Sequence, residues 1–231
     1  MELKTNIFHG STKIVEKPQW NYKKPGWEKE TRDFGEGFYS SPSMEYPIFL
    51  YSKFDDVYVN QYELDTAGLK VLRFKNDLLW LLTTGFHRRD FSDYPECHQM
   101  RDWCREWLAG FDLVIGTISN DNFHSALEDF LDDGITDFMV LQFAQSIKHG
   151  EQYVSKSSKT DMQIKYLDHI KLNLHSLLEQ REVQLVHRRN MRSFISEMKV
   201  RLRPQDNGRL FSEILAEVVA HGRTWFEYRA Q

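Results

Sequence analysis

Cysteine is scarce in this chain, with only Cys97 and Cys104 among 231 residues. Two thiols cannot make a disulfide framework. Seven positions apart on one helix, they stand ~10 Å apart along its axis, beyond the reach of a bridge. His98 adds a ligand type, but no CxxC or HExxH spacing accompanies it, so two ordinary helical thiols are the simpler reading and no metal is expected. Long apolar runs are missing as well. No stretch approaches the ~20 residues that span a bilayer, and Met1-Glu2-Leu3-Lys4 opens no secretory apolar segment. The expectation is a cytoplasmic protein without a membrane partner. A basic excess is also lacking: 30 Lys and Arg against 34 Asp and Glu leave a formal charge of −4. That argues against a nucleic-acid coat. Apolar residues are plentiful, at 41% with 14% aromatic, enough for a substantial core.

Hydrophobic spacing organises the chain into mixed elements. Residues 3–9 read as a strand ending at Gly10 and Ser11, and residues 16–37 as a long loop rich in Pro, Gly, Lys and Trp. Val57–Tyr62 and Gly68–Phe74 alternate as strands. A helix is expected from residue 77 with Asn76 as its cap. Met100, Trp103, Cys104, Trp107 and Leu108 make a second helix face, and Phe111–Gly116 a buried strand. Asn120 or Asp121 can cap a helix carrying Phe123, Leu127, Phe130 and Leu131. Thr136 can cap another carrying Met139, Val140, Phe143, Ala144 and Ile147. Residues 152–157 read as one more strand. After residue 174 the texture becomes helical: Ser176 and Glu179 form a capping box, Pro204 and Gly208 break the long helix, and Gly222 ends the next.

Three separated pieces hold residues capable of chemistry. Phe8-His9-Gly10-Ser11 closes the first strand, Asp33-Phe34-Gly35-Glu36-Gly37-Phe38-Tyr39 opens a later one, and Glu151-Gln152-Tyr153-Val154 starts the last strand before the helical region. Taken singly, each has a plain reading: a structural histidine, a core tyrosine, a surface glutamine, turn glycines. Asp33 can orient a cleft residue or equally cap a turn. Taken in order, the pieces resemble the diphtheria-toxin-like ADP-ribosyltransferase superfamily, and within it a bacterial family marked by HGS, DFGxGFY and a late DQxxFxT-like strand. Trp80 with Arg88 or Arg89 downstream, and Phe111–Gly116 followed by Asn120-Asp121, agree in order. The resemblance runs from about Leu3 to about Ile170.

The resemblance implies an α+β fold: a split two-sheet core with inserted helices over residues 1–174, and a helical C-terminal extension over 175–231. It implies an enzyme that takes NAD as substrate, releases nicotinamide and passes ADP-ribose to a macromolecule, protein or RNA. His9 is expected to hydrogen-bond a ribose hydroxyl and the Gly10 backbone to meet the nicotinamide carboxamide. Tyr39 is expected to stack on the nicotinamide ring, with Ser11, Gly37 and Phe38 bordering the seat. Gln152 takes the third catalytic position. Arg88 or Arg89 suits the pyrophosphate, although solvated arginines after a helix explain both equally well. Such sparse equipment fits the chemistry, because nicotinamide is already a cationic leaving group and the barrier lies in an oxocarbenium-like ribose.

Departures from the better-known members bear on mechanism. Many have glutamate where this chain has Gln152, which offers a dipole and cannot deprotonate an acceptor. Glu151 is adjacent, but strand neighbours face opposite ways, so only one of the two enters the cleft. An added carboxylate at 152 is therefore expected to raise hydrolysis. Ser40-Ser41 replaces the more usual threonine. NAD glycohydrolysis and a catalytically inactive module binding NAD or ADP-ribose stay open as alternatives. The resemblance also suggests an intracellular toxin or defence effector with a neutralising antitoxin. His187, Arg188, Arg189, Arg192, Lys199, Arg201 and Arg203 form a basic run suited to RNA or an acidic partner. Glu179, Glu182 and Glu197 interleave with it as a salt-bridged face would require. If the tail serves such a partner alone, truncation before Ser176 leaves activity intact.

Overall fold

Side-chain alternation along Lys4–Ser11 turns Ile7 inward and makes this segment the first strand, β1. The structure, a computed structural model, describes residues 4–21, 32–52, 54–89, 91, 94–119, 121–146 and 150–230. β1 pairs antiparallel with β3 (Tyr58–Asp65), setting Ile7 opposite Tyr62 and His9 opposite Asn60. β3 pairs antiparallel in turn with β7 (Ile164–Lys171), with a register shift between Gln61 and Tyr62. A second sheet has the order β2 (Phe38–Ser40), β6 (Glu151–Ser155), β5 (Leu113–Thr117), β4 (Val71–Arg73). Only its β4–β5 pair is parallel.

Between the sheets lie Ile7, Phe38, Tyr62, Leu64, Leu113, Ile115, Tyr153 and Ile164. The other face of the second sheet is covered by helices, and the larger core sits there. Those helices are α2 (Leu78–Arg88), α3 (Pro95–Leu108), α4 (Asp121–Leu131) and α5 (Asp137–Ser146). α1 (Glu45–Tyr51) instead packs on β1, and α6 (Ser158–Met162) follows β6. The fold is α+β with two sheets among the described residues.

The helical tail comprises α7 (Leu174–Leu202), α8 (Phe211–His221) and α9 (Thr224–Arg229). It is built into that larger core. Ile195, Met198, Leu202, Phe211, Ile214, Val218, Trp225 and Phe226 are buried in the same cluster as Trp80, Phe86, Phe123 and Phe130.

Several local expectations change. Asp77, rather than Asn76, caps α2 by accepting from Trp80 N–H at 3.1 Å, while Asn76 Oδ1 accepts from the Thr117 hydroxyl. Ser176 opens no helix, because α7 begins two residues earlier and Glu179 faces His175 at 3.3 Å. Thr136 does cap α5, accepting from Met139 N–H. α1, α6 and β7 have no counterpart in the hydrophobic pattern. Residues 22–31 of the long loop, Asn120, Ile147 and the side chains of 187–192 lie outside the described residues.

Candidate functional site

β1 and β2 belong to different sheets, and one backbone bridge joins β1 to the residue that follows β2. Phe8 N–H donates to Ser41 O at 2.8 Å and Ser41 N–H donates to Phe8 O at 2.9 Å, an isolated antiparallel bridge. Backbone polar groups alternate sides along a strand. With Phe8 facing Ser41, the N–H and C=O of Gly10 turn to the same side, and so do those of Tyr39, two residues before Ser41. Among the described residues no bridge joins Gly10 to Tyr39. The two strands part there, and a notch opens between them.

His9 stands at this notch. Its Nδ1 lies 2.7 Å from Tyr39 O, its ring packs 4.5 Å from the Phe38 ring, and Tyr51 of α1 meets it edge-on at 6.3 Å. A carbonyl oxygen can only accept, so Nδ1 carries the proton and Nε2 of the neutral ring is left as an acceptor. Tyr39 directs its ring to the opposite face of β2 from Phe38. Its hydroxyl donates to Gly35 O at 2.8 Å and accepts from Phe34 N–H at 3.0 Å. The Arg32 guanidinium lies over that ring, 5.0 Å from its centroid, and Nη1 donates to Gly37 O at 3.1 Å. A cation thus already lies over the Tyr39 ring.

The neighbouring small residues have packing reasons of their own. A Cβ at Gly10 would come within 2.6 Å of Tyr51 and 3.0 Å of Pro47 O, so its smallness lets α1 lie on β1. A Cβ at Gly37 would sit 2.4 Å from Val154 Cγ1, so β2 could not lie against β6. The Ser11 hydroxyl turns inward to Lys13 O and accepts from Asn60 Nδ2 at 3.1 Å.

Gln152 shares the sheet face of Tyr39: Tyr39 lies opposite Val154, and Gln152 is two residues along on the same strand. It is buried, and Nε2 donates to Asp33 Oδ2 at 2.6 Å and to Thr117 O at 3.0 Å. Glu151, on the other face, pairs with Arg73. Asp33, only 3% exposed, also accepts from Ser119 N–H at 2.8 Å and from Arg88 Nε at 2.5 Å. The two arginines that are equal in sequence therefore separate. Arg88 belongs to the Asp33 hub, while Arg89 reaches Asp132 at 2.5 Å.

Burial shifts the two enclosed histidines strongly. It pushes His9 down to about 4, aided by the Arg32 charge and opposed by the bond to Tyr39 O. It pushes His87 of α2 down to about 3, with Lys156, Arg105 and Arg101 adding to the effect and the Thr83 carbonyl opposing it. Both rings are neutral when folded near pH 7. A lowered histidine value means that the unfolded chain binds more protons below about 6.5. Stability is thus fully present above that pH and falls as the pH drops towards 4. The expected loss is about 1.4 kcal/mol per pH unit for each histidine. Urea midpoints at pH 7.5 and 5.5 measure it, in a window where ordinary carboxylates stay ionised. Equal midpoints would show that these rings are not held neutral.

His9 meets the backbone of Tyr39 at the notch beside Gly10, and the Tyr39 ring shares the other sheet face with Gln152. Ser11 and Arg88 are engaged internally, and Gly37 supports packing. Of the two readings of Asp33, the contact with Gln152 is the one the structure contains. Asn60 and His87 have no place in the sequence reading. Asn60 carries a signal all the same: it occupies an inward position of β3 in step with Tyr62 and Leu64, where the period calls for an apolar residue, and it is fully buried.

No curated protein and no solved structure matches the chain. Residues 5–167 match a family described as a protein of unknown function, DUF3990, which covers both sheets up to β7 and every residue of the notch. The chain belongs to this DUF3990 family.

Proposed function

We propose that this protein is an NAD-consuming ADP-ribosyltransferase of the diphtheria-toxin-like superfamily. The observation that carries the reading is the notch, where the His9 ring is fixed to the backbone of Tyr39 beside Gly10 at the backbone bridge between β1 and the end of β2. The Gly10 backbone offers one N–H and one C=O, the complement of a carboxamide. Tyr39 already accommodates a planar cation, and a nicotinamide ring stacking on that face displaces Arg32. His9 Nε2 accepts from a ribose hydroxyl.

In the reaction the bond between nicotinamide nitrogen and ribose C1′ breaks, and its electron pair leaves with neutral nicotinamide. The oxocarbenium-like ribose is stabilised by fixed dipoles, among them the Gln152 amide oxygen. An acceptor nucleophile then bonds to C1′ and releases its proton. Gln152 takes up no proton at neutral pH, so the acceptor is a group that loses its own proton readily or passes it to solvent. On this reading the acceptor is a macromolecule, protein or RNA. The protein acts as a toxin or defence effector held silent by a neutralising partner.

Nicotinamide release from labelled NAD, with and without cell lysate, tests the proposal. Release that requires lysate, with label carried to a protease- or nuclease-sensitive product, is the expected result. Release without lysate makes the protein a glycohydrolase. NAD binding without release makes it an inactive binding module, and neither binding nor release overturns the reading.

A further inference from the structure

Gln152 has a side-chain amide whose two ends are chemically opposite, and its surroundings decide which end is which. Nε2 is 2.6 Å from a carboxylate oxygen of Asp33 and 3.0 Å from the carbonyl oxygen of Thr117. Both neighbours only accept at neutral pH. Turning the amide over would set Oε1 against two acceptors, one of them charged, in a buried place. The amide orientation is therefore forced. Both amide protons are spent, and Oε1 accepts no hydrogen bond from the described residues. Nor is it among the fully enclosed side-chain atoms of the described residues that lack a hydrogen-bond partner.

We propose that Asp33 is the positioning residue of this site: it takes one amide proton of Gln152 and so makes this neutral residue a pure acceptor towards a hydroxyl-bearing ligand. The inference rests on the notch being the NAD seat, and it deepens that reading. A glutamine held this way does for a ribose hydroxyl what one carboxylate oxygen would do, without the negative charge. Asp33 can hold the amide because it is itself fixed by Arg88 Nε and Ser119 N–H. It reaches Gln152 across 119 positions of chain, from the loop that leads into β2.

The expected effect of glutamate at 152 now reverses. A carboxylate there would face the Asp33 carboxylate across one hydrogen-bond length, and two such groups cannot both ionise. The one shared proton cannot satisfy both Asp33 Oδ2 and Thr117 O, so the carboxyl loses the fixed orientation of the amide. Gln152→Glu should lower kcat for nicotinamide release about tenfold or more, and reversion to glutamine should restore it. The decisive comparison is Asp33→Asn in two backgrounds. With Gln152 present it should reduce kcat about tenfold, with a smaller change in KM. With glutamate at 152 it should raise kcat about tenfold, because an amide at 33 can donate to the new carboxylate. A merely structural Asp33 would lose its Arg88 pairing and do harm in both backgrounds alike, and that outcome would overturn the proposal.

A readout independent of turnover separates this inference from the functional reading. In Gln152→Glu, carbon-13 titration of the new carboxyl should give a value raised well above the ordinary glutamate range. In the double variant it should return towards that range. An ordinary value with Asp33 present would show that the two side chains do not meet, whatever the activity. A wild-type protein that releases no nicotinamide would sink the functional reading while this titration still decides the contact.

Discussion

Replacing His9 with alanine is expected to lower nicotinamide release by about a hundredfold while the protein stays folded. The magnitude is that of removing one positioned polar group from a site where charge develops. The ring does two separable things. Its Nδ1–H bond to Tyr39 O and its packing on Phe38 hold β1 and β2 at the notch. On the proposed reading its Nε2 accepts from the ligand. Loss of the neutral hydrogen bond costs about 1 kcal/mol, well within the stability of an ordinary domain. His9→Asn separates the roles, since its Nδ2 can still donate to Tyr39 O although no group replaces Nε2. Melting curves should place His9→Asn between wild type and His9→Ala, and both variants should be equally poor in kcat. Because the ring is neutral down to about pH 4, kcat should show no step through pH 6.5 from this residue. Wild-type turnover in His9→Ala would remove His9 from the site.

The parts legible in sequence are those whose signal is local. α3, α4 and α5 follow from apolar residues at i, i+3 and i+4, and β5 from a short run sealed on both faces. β7 is invisible there because it is an edge strand: of its eight residues only Ile164 is buried, while Leu167 and Ile170 stand exposed, so alternation never develops. His9, Gly10 and Tyr39 stand out through motifs, and topology then sets them side by side. The hub is beyond reach, because the pairing of Asp33 with Gln152 and Arg88 depends on where three distant segments cross. Nothing in the two adjacent arginines says that one will meet Asp33 and the other Asp132. The tail shows the other kind of limit. Periodicity identifies an apolar helix face that is expected to pack onto the main domain, but not how far the two share one core. In fact the tail is buried in the same cluster as Trp80 and Phe86.

Ending the chain after Asn173 is accordingly expected to destroy the fold, contrary to what an independent tail would allow. α8 and α9 supply aromatic rings on which the helices behind the second sheet close. Phe226 stacks on Trp107 at 5.8 Å and meets Phe86 at 6.4 Å. Phe211 meets Phe91 at 6.2 Å and Phe130 at 5.6 Å. Ile214 and Val218 are completely enclosed. Removing one such phenylalanine costs about 3–5 kcal/mol, against a total stability of about 5–15 kcal/mol. The truncated chain should show no cooperative melting transition and should expose apolar surface to a hydrophobic dye. Phe226→Ala and Phe211→Ala in the full chain should melt cooperatively at clearly lower temperature. The site should weaken with the core, because α2 carries Phe86 two residues before Arg88, and Arg88 holds Asp33, which holds Gln152. A truncated protein that melts cooperatively at the wild-type temperature would show instead that the sheets and α2–α5 close on themselves without the tail.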